Sequence, residues 1–304
     1  MKLSKSEKVA LIISTRNRKS DLMETIEKSV LAGIDTSSIY IADDASEDGT
    51  FDEIRRRFAS INIFRNDKPK GYIHNRNFLM RLVPHEYTLS LDDDSNLLDP
   101  SDLVEAIQIM DEDKKCAVFS FTVVEQIEMP PAKNHLPDRI KKVKTFIGCG
   151  HIIRKSVLKE IGYYREELEF YCEELDFSLR AYNAGYHVLN KENLVVHHRI
   201  DWKERNRQVE SETRKGIYGA VYRSKLGFSN SLTVRALNYP YLLDIAAIMV
   251  YTFKRCFNYL ILKRDMKGFF GGGIRFLKFV PYIVANRNKL SYKKFLVWNS
   301  LPVS

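Results

Sequence analysis

A chain of 304 residues suffices for one large α/β domain with an appendage or for two modest domains, and an apolar content of 44% allows a full core. Cys116, Cys149, Cys172 and Cys256 are widely spaced with no CxxC pair, which argues against a disulfide scaffold or a structural zinc site and fits a reducing compartment. The net charge of +9 is unevenly spread: residues 199–304 carry 20 Lys and Arg against 6 Asp and Glu, while residues 1–198 carry 28 against 33. A basic tail after an acidic body points to an anionic partner, either nucleic acid or a membrane surface.

The apolar run in the N-terminal MKLSKSEKVALIIS is about half as long as a signal core and lacks a small-residue cleavage site, so it reads as a first strand of a cytoplasmic protein. That strand, KVALIIS, ends in the polar turn TRNR. Residues 19–32 then place Leu22, Ile26, Val30 and Leu31 near helical spacing, with Gly33 at the C-cap position. SSIYIA is a second strand closed by DDASEDGT, and the helix TFDEIRRRFA follows. INIFRN is a third strand, GYIHNRNFLMRLV a helix and EYTLSL a fourth strand. This alternation predicts βαβ units around a parallel sheet. Since ligands collect at the carboxyl ends of such strands, TRNR, DDAS and LDDDS are expected to meet in one cleft.

Beyond residue 100, SDLVEAIQIM reads as a helix with Ser101 as N-cap, and CAVFSFTVVEQ as β structure. IEMPPAKNHLPD is a Pro-rich loop, and the surrounding 126–143 segment is expected to shape selectivity together with GCGH. TFIGCGHIIR reads as a glycine-interrupted strand, KSVLKEIGYY and CEELDFSLRAYNAG as helices, and YHVLNKENLVVHHR as two short strands with a turn. From about residue 203 the chain is helical and basic, with aromatic residues interleaved.

Asp92 and Asp94 flank Asp93 at a strand end, where residues two apart point the same way. Hard oxygen ligands of this kind suit Mg²⁺ or Mn²⁺, and a solvated turn explains the triplet equally well. Asp43 and Asp44 either form an Asx turn or accept a hydrogen bond from a nucleobase. Arg76 and Asn77 either reach a diphosphate or face solvent. In CEELDFSLR, Asp176 and Arg180 have the i,i+4 spacing of a helical salt bridge. Glu173 and Glu174 suit the helix dipole, or one of them serves as a general base. His197 and His198 are either structural or metal ligands.

Taken in order, VALIISTRNR, IADDASEDGT, KGYIHNRN, LSLDDDSN, the GCGHIIRKSVLKEIGYYREELEFYCEELDFSLRAYNAGY stretch and VVHHR resemble a bacterial family 2 glycosyltransferase with the GT-A fold over residues 8 to about 200. The resemblance implies a Rossmann-like, mostly parallel sheet flanked by helices. The catalytic domain would span residues 1–202, with a nucleotide-binding half (1–98) and an acceptor and base half (99–202), followed by a basic helical extension over 203–304. It implies that Asp43 or Asp44 touches the base, with Thr15, Arg16, Asn17, Arg76, Asn77 and Asp93 as further donor-binding residues. It also implies that Asp92 and Asp94 hold Mn²⁺ or Mg²⁺, with His197 or His198 as a further ligand. Glu174 would be the base; the family usually has Asp there, so Glu173 competes. Gly148, Gly150, Asp176 and Arg180 are acceptor-side or structural. The expected activity is inverting transfer from a UDP- or dTDP-sugar to a lipid-linked surface glycan, of the O-antigen or capsule rhamnosyl-, galactosyl- or galactofuranosyltransferase type. The alternative is a non-catalytic nucleotide-sugar-binding or scaffold protein. A nucleotidyltransferase is disfavoured because no glycine-rich phosphate loop follows the first strand.

The longest apolar run, residues 239–253, is interrupted by Asp244 and falls short of the roughly 20 residues needed to span a bilayer. The following segment alternates apolar residues with Lys and Arg, the composition of interfacial helices on an anionic membrane. That would make the protein peripheral on the cytoplasmic face of the inner membrane. Packing on the catalytic domain or homo-oligomerisation are the alternatives. Nucleic acid is not expected, since no base-reading module is visible.

Overall fold

The computed structural model describes residues 8–125, 135–200, 202, 219–257 and 265–304. Most of IEMPPAKNHLPD and residues 203–218, expected to be loop and helix respectively, lie outside these. The chain divides into two compact units, one of residues 1–164, 184–200 and 302–304, the other of 165–183 and 201–301. The segment 165–183, assigned from sequence to the catalytic region, thus groups with the C-terminal helices.

The first unit is built on one sheet. Strands β1 (Val9–Thr15), β2 (Ile39–Asp43), β3 (Asn62–Arg65) and β4 (Tyr87–Asp92) alternate with helices α1 (Lys19–Leu31), α2 (Thr50–Arg57) and α3 (Tyr72–Leu82). After them come β5 (Ser95–Leu97), α4 (Pro100–Glu112), β6 (Cys116–Val124), β7 (Ile140–Val143), β8 (His151–Arg154), α5 (Lys155–Ile161) and β9 (His187–His198). The strand order is β3-β2-β1-β4-β8-β6-β9-β5, with β7 also on β9. The first four strands are parallel, β8 is antiparallel to both β4 and β6, and β6 and β9 are parallel. Every residue from Val9 to Ile13 is buried, as expected of a parallel strand covered on both faces. Around it Leu22, Ile26, Leu89 and Ile107 form one continuous core.

Register brings the polar strand ends together. Thr15 of β1 lies opposite Asp43 of β2, and Ser14 lies opposite Asp92 of β4, so all three strands end level.

Four local expectations are corrected. Helix α4 is capped by Asp99, whose side chain accepts from Ser101 N, with Pro100 in its first turn. The proline's fixed φ and missing N–H suit that position. HVLNKENLVVHH is one strand, and its polar middle survives as a break in pairing with β6 between Ser120↔Asn190 and Thr122↔Val195. The segment 126–143, expected to be all loop, ends in β7, which pairs with Lys191–Val188 of β9. TFIGCGHIIR is strand only from His151. Before it, Gly150 takes φ +80°, and a Cβ there would lie 2.8 Å from Val196 Cγ2. Only glycine meets both demands.

The second unit contains α6 (Glu173–Asn183), α7 (Ala220–Asn238), α8 (Tyr241–Cys256), α9 (Met266–Asn286) and α10 (Tyr292–Ser300). Tyr239 is held extended by Pro240, so α7 ends ahead of the longest apolar run and the rest of that run lies in one helix, α8. Helices α7 and α9 approach closely at Gly272, where a Cβ would lie 2.8 Å from Phe228 Cδ1 and 2.9 Å from the Lys225 carbonyl.

Candidate active site

Asp93 and Asp94 form the turn that joins β4 to β5. Strand pleating therefore does not aim Asp92 and Asp94 the same way, and Asp93 does not lie on the far face of a strand; the turn gathers all three. Ser95 fixes it, its hydroxyl accepting from Asp92 N at 2.9 Å and donating to the Asp92 carbonyl at 3.1 Å. The like charges are balanced by cations distant in sequence. Arg76 Nη2 meets Asp92 Oδ1 at 2.5 Å, and Arg18 lies 2.8 Å from Asp94 Oδ2 and 3.4 Å from Asp93 Oδ1. His198 Nε2 is 3.0 Å from Asp94 Oδ1 and 3.9 Å from Asp92 Oδ2. Thr15 donates to Asp93 Oδ2 at 2.8 Å. Even so, burial pushes the Asp93 carboxyl up to about 7, against the pull of Arg18.

The two histidines separate by strand alternation. His198 faces the carboxylates, whereas His197 acts electrostatically on Glu24 of α1. Cys149, which sequence reasoning did not single out, completes a cluster with Asp92 and His198 in which one ligand atom of each lies within 4.8 Å of the others. Burial holds its thiol well above its ordinary pKa.

At the end of β2 the two aspartates differ. Asp44 is consumed by structure, accepting from Asn66 Nδ2, Lys70 N and Gly71 N at 2.8, 2.8 and 3.0 Å. Asp43 is fully buried; its Oδ1 accepts from Ser46 N at 3.0 Å, and its Oδ2 has no hydrogen bond among the described residues, with Arg65 Nε 3.8 Å away. A buried carboxylate oxygen left in this state costs free energy unless something donates to it. Nearby, a cleft of about 480 Å³ is lined by Ala45, Glu47, Arg65, Asn66 and Asp67.

The other donor-side expectations divide in the same way. Asn17, at φ +54°, ties the two strand-end loops by donating its N–H to Ser46 Oγ and accepting from Glu47 N. Arg16 is half-buried, and its Nε has no hydrogen bond. Asn77 does not reach a ligand site: its amide donates to the Tyr164 carbonyl at 2.8 Å and accepts from Tyr164 N at 3.1 Å. The Ile147 and Gly148 carbonyls hold the buried His151 imidazole, and Tyr164 Oη lies 3.1 Å from its Nε2. Burial pushes that imidazole down to about 3, so it is neutral and serves as a support.

In the second unit, Glu173 and Glu174 open α6. Glu173 is buried, and burial together with the charge of Glu174 raises its pKa well above the ordinary value. The shift favours its protonated form beside the more exposed Glu174. Asp176 is structural: Arg180 Nε donates to it at 2.8 Å, Arg165 Nε at 3.2 Å and Asn238 Nδ2 at 3.1 Å.

Residues 10–162, just over half of the chain, match the family Glycosyl transferase family 2. The chain belongs to that family. No curated protein sequence matches it. Among solved structures, the mannosyltransferase PcManGT from Pyrobaculum calidifontis, in complex with GDP-Man and Mn²⁺, aligns over 96% of this chain and 79% of its own, with a TM-score of 0.56 and 12% identity. S. aureus TarS 1-349 in complex with UDP aligns over 66% and 63%, with a TM-score of 0.52 and 18% identity. GalNAc-T7 with UDP, GalNAc and Mn²⁺ aligns over 63% and 43%, with a TM-score of 0.52 and 15% identity. The family 2 chain thus spans less than two thirds of the length of the latter two, and at these identities the likeness is one of fold, the GT-A arrangement.

For this family 2 member the donor set can be tested against a divalent cation. Two carboxylates and an imidazole suit Mn²⁺ or Mg²⁺. The Cys149 thiol, protonated and soft, would favour neither.

Proposed function

We propose that the protein is an inverting, metal-dependent glycosyltransferase that moves a sugar from a nucleotide-sugar donor to a hydroxyl of a lipid-linked surface glycan. One observation carries the reading: Asp92, Asp94 and His198 converge at the same sheet edge where Asp43 keeps a buried oxygen without a hydrogen bond. In this reading Asp43 accepts from the nucleobase, and Asp92, Asp94 and His198 would hold Mn²⁺ or Mg²⁺. When bound, the cation would offset charge on the departing diphosphate. Arg76 orients Asp92, and Arg18 orients Asp93 and Asp94. Glu174 takes the acceptor hydroxyl's proton, with buried Glu173, whose raised pKa favours its protonated form, beside it.

The complexes of PcManGT with GDP-Man and of TarS with UDP support a nucleotide-sugar donor, with UDP- or dTDP-sugars our first candidates. The test is calorimetric titration of UDP-, dTDP- and GDP-sugars with and without Mn²⁺. The expected result is Mn²⁺-dependent binding of one of them, lost in Asp94→Asn. Failure of all three to bind would overturn the donor assignment.

The reading includes peripheral attachment to the cytoplasmic face of an anionic membrane. No described helix is long and apolar enough to cross a membrane. Met249 and Phe253 on α8 and Ile274, Leu277 and Val284 on α9 are exposed at helical spacing, on helices that also carry Lys254, Lys267 and Lys278. Each such side chain gains about 1.5–3 kcal/mol when fully removed from water. Phe253→Glu with Leu277→Glu should abolish sedimentation with phosphatidylglycerol vesicles; unchanged sedimentation contradicts the attachment.

A further inference from the structure

The second unit has a cavity of its own, about 340 Å³, lined by Tyr171, Cys172, Arg223, Ser224, Ser231 and Arg255. Tyr171 and Cys172 immediately precede the acid pair that opens α6. Both take positive φ, +73° and +70°, as does Glu169 at +60°. For residues with a side chain such a backbone costs about 1–3 kcal/mol each, and it persists only where the surroundings enforce it.

Here two buried side chains do the enforcing. Asn230 Nδ2 lies 2.6, 2.7 and 3.1 Å from the carbonyls of Leu168, Phe170 and Tyr171. Arg275 donates to Asn230 Oδ1 at 2.6 Å, to the Glu167 carbonyl at 2.7 Å and to Glu169 Oε1 at 3.0 Å. The strained loop is therefore a fixed wall of the cavity.

The opposite wall is fixed too. Arg255 stacks on Tyr251 at 5.1 Å and donates Nε to its hydroxyl at 2.7 Å, while Arg223 lies over Phe170 at 5.5 Å. Arg235, stacked on Tyr251 at 4.3 Å, acts with Arg255 on the Cys172 thiol, against the opposing charge of Glu174. Among the described lining residues are two guanidiniums and three hydroxyls, and none is a carboxylate. Planar guanidinium forks held by aromatic rings match the oxygens of a phosphate, and serine hydroxyls add donors. The volume suits a small polar group.

We propose that this cavity binds a phosphate or diphosphate group of the acceptor, with Arg223 and Arg255 as its readers. This rests on the glycosyl-transfer reading and deepens it: the acceptor would be anchored by its phosphate beside the segment that carries Glu174.

The test uses the full chain and inorganic pyrophosphate in EDTA, so that a metal-bound diphosphate cannot contribute. Calorimetry should show binding to the wild type, weakened at least about tenfold in Arg223→Gln with Arg255→Gln, and intermediate in Arg255→Lys, which keeps charge without the fork. Equal affinity in wild type and double variant, or no binding by the wild type, would overturn the proposal. A short alkyl diphosphate should displace pyrophosphate, and phosphatidylglycerol vesicles should not; displacement by vesicles would assign the cavity to a lipid headgroup and overturn the acceptor role. The nucleotide titration with Mn²⁺ should be unchanged in the variants, which also shows that they fold. Absence of nucleotide binding in the wild type breaks the donor reading and leaves the pyrophosphate result standing.

Discussion

In the turn after β4, three neighbouring carboxylates each have a cation against them: Arg76 on Asp92, and Arg18 and His198 around Asp93 and Asp94. At the start of α6, the charge acting on buried Glu173 is that of another carboxylate, Glu174. The first arrangement sets carboxylate oxygens against positive partners, one of which a bound cation could replace. The second raises the pKa of one carboxyl, as happens when two close acids resist ionising together. In the proposed reading, this difference gives charge handling to the Asp turn and proton handling to the Glu pair.

The largest expected effect breaks the proton side alone. Glu174→Gln should lower the rate of sugar transfer by about 10²–10⁴-fold, the usual worth of a positioned base, while nucleotide affinity measured by calorimetry stays the same. On the charge side, Asp94→Asn should weaken Mn²⁺-dependent nucleotide binding by at least about 100-fold, since even supporting residues of metal sites are worth 10–100-fold. His198→Ala should cost about tenfold in Mn²⁺ affinity, whereas His197→Ala should cost nothing, which sharpens the choice that strand alternation makes.

The smallest effect concerns stability. Because the folded pKa of Glu173 is raised above its ordinary value of 4.5, the native state holds a proton above that pH which the unfolded chain has released. Stability then falls as pH rises from the ordinary carboxyl range toward the folded pKa, by at most about 1.4 kcal/mol per pH unit. Glu173→Gln removes this slope, so the urea midpoint of the variant should gain on that of the wild type between pH 5 and pH 8. A constant difference would show that Glu173 is ionised in the native state.

How far these sites were legible follows from what sets them. The alternation of apolar runs gave β1 to β4 with their helices, because period 2 and period 3.6 are local properties, and it placed TRNR, DDAS and LDDDS at strand ends. The cations were not legible, because Arg18 and Arg76 reach the Asp turn only through the pairing of β1 with β4 and the packing of α3. Asp92 and Asp94 were grouped for the wrong reason, since a turn converges them where pleating was expected to. Cys149 was hidden because nothing local marks a buried cysteine as a neighbour of a histidine 49 residues away. Asn77 and Asp44 looked like ligand contacts; each is used up on backbone or loop hydrogen bonds that no sequence pattern reveals. The same holds for Asn230 and Arg275, whose task is visible only once Glu169, Tyr171 and Cys172 are seen at positive φ.

The division of labour is tested most directly by one paired titration: the nucleotide-sugar that binds wild type with Mn²⁺, titrated into Glu174→Gln and Asp94→Asn, with sugar transfer assayed on the same samples. The account predicts wild-type affinity with lost turnover for Glu174→Gln, and lost Mn²⁺-dependent affinity for Asp94→Asn. Full turnover in Glu174→Gln, or undiminished Mn²⁺-dependent binding in Asp94→Asn, would contradict it.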